Sequence, residues 1–91
     1  MAILLSYDVK RTNEKVHTDL KNRLTTSYGF QTQIVSDDNK RYDLPNTTLR
    51  KEGVSPQQGA KDFLTACKDV GAQWERYIVC EYTHATFNNQ S

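Results

Sequence analysis

Apolar positions change their spacing several times along this chain, and each change marks an element. Ala2-Ile3-Leu4-Leu5-Ser6-Tyr7-Asp8-Val9 is apolar on both faces of an extended segment, the pattern of a strand in the middle of a sheet, and it carries one carboxylate near its far end. After Lys10-Arg11, the residues Val16, Leu20, Leu24 and Tyr28 recur at every fourth position, with polar side chains between them. That stripe predicts a narrow-faced helix, capped by Thr12 or Asn13 and stopped by Gly29. From residue 30 the period becomes two: Phe30, Thr32 and Ile34 alternate with Gln31, Gln33 and Val35. A second strand therefore begins at once. Ser36-Asp37-Asp38-Asn39-Lys40 is a run of turn formers and predicts a hairpin, with a third strand over residues 41–51. Pro45 lies inside that segment and cannot donate to a ladder, so a bulge or bend is expected near Leu44-Pro45-Asn46.

The second helix has the sharpest start signal: Ser55 as N-cap, Pro56 at the first helical position and Gln58 three residues after the cap, a capping box. Ala60, Phe63, Leu64, Cys67 and Val70 define its inward face and Gly71 ends it. A last strand over residues 74–83 divides into Trp74, Arg76, Ile78, Cys80 and Tyr82 on one side and Glu75, Tyr77, Val79, Glu81 and Thr83 on the other. Strand, helix, strand, strand, helix, strand is the order of an α+β, ferredoxin-like βαββαβ domain. Right-handed crossovers place both helices on one face of a four-stranded antiparallel sheet and leave the other face bare.

The length of 91 residues fits a single domain, taken as residues 1–85 with a polar tail at 86–91. A chain this short buries only about 60–65% of its unfolded surface, so dimerisation is the expected source of added stability. Cys67 and Cys80 have neither metal-ligand nor disulfide-framework spacing and read as reduced, buried thiols. With no leader pattern and no run of the roughly 20 apolar residues that span a bilayer, a cytoplasmic protein without membrane contact is expected. The net charge of +1 selects no partner class, so only the placement of charge is informative.

The strand ending Ser6-Tyr7-Asp8-Val9, the helix after it, and the stretch Pro45-Asn46-Thr47-Thr48-Leu49-Arg50-Lys51 leading into a Ser-Pro-capped helix together resemble the small CRISPR-associated adaptation nucleases, the second of the Cas proteins. Virulence-associated protein D, a toxin ribonuclease, belongs to the same superfamily. The resemblance covers nearly the whole chain in element order, and its sharp part is the strand-end Tyr-Asp-Val. It implies a homodimer formed through the sheet, in which Asp8 pairs with its symmetry mate to hold a divalent metal, magnesium, for phosphodiester cleavage of RNA or DNA. The hairpin at residues 36–41 is longer than in the adaptation nucleases and no extra strand follows Tyr82, which points to a stand-alone relative.

Asp8 is thus the candidate catalytic and metal-binding residue, and its bland alternative is a strand-end carboxylate that caps the following turn. Three basic pairs, Lys10 with Arg11, Lys40 with Arg41 and Arg50 with Lys51, are the candidate nucleic-acid contacts. Surface strands also carry such residues simply to discourage edge pairing. His17 falls on the polar side of the first helix and reads as solvated; His84 has no partner in the pattern. Asp37-Asp38 reads as turn chemistry. Tyr7, Tyr42, Tyr77, Tyr82 and Trp74 are core, interface or base-stacking aromatics. Two function classes stay open: a nucleic-acid-binding, metal-dependent nuclease, and a binding or scaffold module without chemistry.

Overall fold

In a computed structural model the described residues are 2–10 and 14–83, so Arg11, the expected cap at Thr12 or Asn13, His84 and the tail at 86–91 lie outside them. The elements are β1 (Ala2–Val9), α1 (Glu14–Ser27), β2 (Gln33–Val35), β3 (Arg41–Asp43), β4 (Thr48–Glu52), α2 (Pro56–Val70) and β5 (Trp74–Tyr82). The chain is α+β and its sheets are antiparallel. β1 lies in the middle of a three-stranded sheet of order β4-β1-β5, as its two apolar faces predict.

The expected fourth strand is nearly absent from that sheet. Gln31 and Arg50 exchange a pair of backbone hydrogen bonds of 2.7 and 3.0 Å, an isolated antiparallel bridge on the outer edge of β4. Beyond it the chain peels away, and β2 pairs with β3 as a separate two-stranded ribbon. Pro45 explains much of this. The bend expected inside one long strand is a full break, with the Thr48 amide donating to the Pro45 carbonyl at 2.9 Å and a new strand starting there. Because the bridge to β4 is antiparallel, the chain at Gln31 runs in the direction of β1 before the ribbon leaves the sheet.

Both helices pack on one side, and the core is built from Ile3, Leu5 and Tyr7 of β1, Leu49 of β4, Leu20 and Leu24 of α1, and Phe63, Ala66 and Cys67 of α2. The stripe of α1 appears as predicted, with Val16, Leu20 and Leu24 buried. Tyr28 ends it half-buried, its hydroxyl donating to Asp69 at 2.8 Å. The inward face of α2 is turned by about one residue from the expected one. Gly59, Asp62, Phe63, Ala66 and Cys67 are buried, while Ala60, Leu64 and Val70 are half-buried. Gly59 is the cause on the sheet side, since a Cβ there would collide with the end of the Ile3 side chain. Asp62 turns inward because Lys51 reaches it at 2.9 Å. Only half of the capping box forms: Ser55 Oγ accepts from the Gln58 amide at 3.2 Å, but the Gln58 side chain donates to Asp62 at 2.8 Å.

Two further expectations are corrected. Cys67 is buried and its thiol is pushed up to about 11 by burial, but Cys80 is exposed. The reason is register: Cys80 pairs with Leu4 on the side of the sheet away from the helices. His17 is half-buried rather than solvated, with Nε2 enclosed and its ring 6.3 Å from that of Tyr7. Among the described residues no helix is long and apolar enough to cross a membrane.

Candidate functional site

Alternation along β1 sends Ile3, Leu5 and Tyr7 to the helices and leaves Ala2, Leu4, Ser6 and Asp8 on the other face. Register adds Thr48, Arg50 and Glu52 from β4 and Arg76, Ile78, Cys80 and Tyr82 from β5 to that second face. No helix covers it. Ile78 remains 64% exposed, a large β-branched side chain in water directly opposite Ser6.

Asp8 stands at the upper end of this face, with its side chain 56% exposed. Its Oδ2 lies 3.1 Å from Nε of Arg76, the cross-strand neighbour on β5, whose side chain is 78% exposed. A pair this open to solvent contributes little to stability, so neither group is committed to the other. Beneath them a shallow cavity of about 240 Å³ is lined by Ser6, Asp8, Thr47, Arg76 and Ile78 among others. The hydroxyls of Ser6 and Thr48 meet at 3.4 Å on the same face. This arrangement can offer one carboxylate, one guanidinium and hydroxyl groups to a ligand. Among the described residues no cluster of three or more histidine, cysteine or acidic side chains could enclose a metal ion.

The basic candidates separate. Arg50 and Lys51 are consecutive strand residues and point to opposite faces. Arg50 Nε donates to the Gln33 carbonyl at 2.8 Å, while Nη1 donates to Glu52 at 3.1 Å and to the Tyr82 hydroxyl at 3.2 Å. Burial works against its charge, but the bonds from Tyr82 and Glu52 outweigh that and raise its pKa further. Lys51 crosses to the helix side, pairs with the buried Asp62 and lies 5.4 Å over the Phe30 ring. Both serve the fold. Lys10, Lys40 and Arg41 are exposed and take part in no ion pair among the described residues. Lys10 follows Asp8 by two residues, whereas Arg41, on the ribbon, lines a cavity with Thr25, Phe30, Val35 and Arg50.

Asp37-Asp38 is turn chemistry, as the pattern predicts. Asp38 accepts from the Tyr42 hydroxyl at 2.6 Å and from the Lys40 amide at 3.0 Å, and these bonds hold its carboxyl below the usual range.

Arg76 is the site residue that pattern reading passes over. In a single sequence it is one of many surface cations, and it gains meaning only from the register that sets it across from Asp8. Trp74 also changes sides. The register shifts between Asp8 and Val9, leaving Glu75 unmatched and Trp74 opposite Val9 instead of on the Ile78 face. Tyr7, next to Asp8, is a core residue: it is 2% exposed, its hydroxyl has no partner among the described residues, and burial first and Cys67 second push its pKa up to about 12.

No family model, no curated protein and no solved structure matches this chain.

Proposed function

We propose that the chain is a nucleic-acid-binding homodimer whose two copies meet through the uncovered sheet face. The observation that carries this reading is that one face of the sheet holds exposed Ile78 and Cys80, half-buried Leu4 and, at its end, the open Asp8–Arg76 pair. Apolar side chains left open on a sheet face are available to a partner. Nucleic acid is favoured as the further ligand because Lys10 and Arg76 stand at the end of the sheet that carries Asp8, and Lys40 and Arg41 are exposed on the ribbon, in a chain of net charge only +1. The fold is read as ferredoxin-like βαββαβ, with the second strand reduced to the Gln31–Arg50 bridge; the sheet order β4-β1-β5 and both helices on one face support that reading.

One protomer does not fit a magnesium site. Magnesium takes oxygen ligands, commonly one or two carboxylates with phosphate and water, whereas Asp8 is a lone carboxylate with a guanidinium 3.1 Å away. Magnesium-dependent cleavage therefore belongs to this function only when a second copy brings its own Asp8 to the first. The Asp8–Arg76 pair itself favours the second reading, a binding module without chemistry, because it neutralises the carboxylate within one chain.

Cleavage of single- and double-stranded RNA and DNA, measured with and without Mg²⁺ or Mn²⁺ in the wild type and Asp8→Ala, separates the two. Metal-dependent cutting lost in Asp8→Ala supports the nuclease; binding without cutting in both proteins supports the module. Absence of any nucleic-acid binding at low salt removes the reading altogether.

A further inference from the structure

Where a fourth strand would complete the sheet, the chain opens a cleft. Gln31 bonds Arg50 of β4 in both directions, and in unbroken register Gln33 would meet Thr48 next. That pair does not form: the Thr48 amide donates to the Pro45 carbonyl, and Arg50 Nε takes the Gln33 carbonyl at 2.8 Å. A guanidinium thus bridges a gap that a backbone ladder would have filled. Residues 30–35, with Thr25 of α1, Arg41 of β3 and Arg50, line a cavity of about 360 Å³. Ligand pockets commonly fall between about 300 and 1,000 Å³, so this one suits a small molecule.

Its walls differ in kind. Phe30 and Ile34, both buried, and Val35, 48% exposed, supply apolar surface. The polar wall is cationic. Arg41 stands across from Val35 on the ribbon, is exposed, and takes part in no ion pair among the described residues. Arg50 is committed through Nε and Nη1, and its Nη2 has no partner among the described residues. Among the described residues no acidic side chain lines the cavity. Asp43, the cross-strand neighbour of Gln33, is held by the Gln33 side-chain amide at 2.9 Å and is not part of the lining. The backbone adds donors. The Leu44 amide donates to the Thr32 carbonyl and the Ser36 amide to the Lys40 carbonyl, so the even positions of β2 face β3. Alternation in an antiparallel ladder then turns the amides of Gln33 and Val35 to the opposite side, the side on which Gln31 meets β4.

We propose that this cleft binds a small organic oxyanion, a carboxylate or phosphate monoester with a flat apolar body. Arg41 takes the charged head, and the body lies against Phe30, Ile34 and Val35. The planar fork of a guanidinium matches either head group. An apolar wall lowers the local dielectric and strengthens the bond to the head. Both halves of the ligand are needed: a neutral molecule leaves the Arg41 charge unanswered, and a bare anion gains nothing from the apolar wall. The inference does not rest on the nucleic-acid reading, and its failure leaves that reading where it stands.

The test uses the full chain, isotopically labelled, and backbone amide shifts as the readout. It is titrated with benzoate and phenyl phosphate, which carry head and body, with acetate and inorganic phosphate, which carry the head alone, and with benzyl alcohol, which carries the body alone. The expected result is saturable movement of the amides of residues 30–35 and 41 with benzoate or phenyl phosphate, at concentrations where the other three leave them unchanged. Whichever of the two saturates first identifies the preferred head. Arg41→Gln, at an exposed ribbon position, is expected to keep the spectrum of the remaining chain and to weaken binding by about 10-fold or more, as loss of a hydrogen bond to a charged group requires. Arg41→Lys recovers only part of the loss, because the fork is gone. No saturable shift with either full ligand, shifts centred away from the cavity, equal binding by the head or the body alone, or an Arg41→Gln protein that binds as well as wild type each overturns the proposal.

Discussion

Ile3, Leu5 and Tyr7 alternate along β1 with Leu4, Ser6 and Asp8, yet the two sets meet different surroundings. The first set is sealed under α1 and α2 against Leu20, Leu24 and Phe63. The second faces neither of the described helices and lies beside exposed Ile78, exposed Cys80 and the Asp8–Arg76 pair. One strand therefore anchors the fold with half of its residues and presents a surface with the other half. On the proposed function, stability and binding are separated by a single step in the pleat, so substitutions one residue apart are expected to act on different properties.

The largest expected effect is on the covered face. Leu5→Ala removes a fully buried side chain from the middle of the core and is expected to cost about 2–5 kcal/mol, measured by urea unfolding. Ser6→Ala, one residue on, is expected to stay within about 0.5 kcal/mol of wild type. If the two cost the same, the contrast between the faces is lost.

Alkali tests the covered face in a second way. Tyr7 and Cys67 have pKa values raised to about 12 and about 11, while in the unfolded chain they titrate near 10 and 8.5 respectively. Between those values the unfolded chain loses protons that the folded chain keeps, so stability is full below about pH 8.5 and falls as pH rises toward 12. Each unit of difference is worth up to about 1.4 kcal/mol, which predicts a urea midpoint that declines steadily above pH 9. Tyr7→Phe is expected to flatten the upper part of that decline. It is also expected to be neutral or stabilising at neutral pH, because the hydroxyl it removes has no partner among the described residues.

Next in size is Lys51. Lys51→Ala leaves Asp62 buried without its cation, and since both side chains keep some exposure the expected cost is about 2 kcal/mol. Lys40→Ala is expected to leave stability unchanged and to weaken nucleic-acid binding at low salt. The reverse assignment, Lys51 affecting only binding and Lys40 only stability, contradicts the division of the basic residues.

Much of the fold is legible in the sequence. The two-sided apolar run identifies β1 as central, the four-residue stripe identifies α1, and Ser55-Pro56 fixes the start of α2. Pattern does not divide the Arg50–Lys51 pair: both read as nucleic-acid contacts, and only the burial of Leu49 and the Lys51–Asp62 pair show that Lys51 faces inward. What could not be read are the relations that depend on register between distant strands. Arg76 meets Asp8 because β5 pairs with β1 at one offset, and Trp74 moves to the rim because that offset slips by one residue. The peeling of residues 33–43 from the sheet follows from Pro45 and from the Arg50 guanidinium bonding the Gln33 carbonyl. Pattern indicates a bend there but does not distinguish a bend from a break. The rotation of α2 rests on Gly59, whose missing side chain matters only once Ile3 is known to lie beneath it.

The smallest expected effect on stability falls on the uncovered face, and it is the one on which the account depends most. Ile78→Lys replaces a side chain that is already 64% exposed, so the protomer's unfolding free energy is expected to change by less than about 0.5 kcal/mol. Sedimentation equilibrium of wild type and Ile78→Lys across a concentration series tests the interface directly. The account predicts a wild-type dimer and an Ile78→Lys monomer that is folded by circular dichroism. A wild type that sediments as a monomer at every concentration, or an Ile78→Lys protein that dimerises as tightly as wild type, contradicts it.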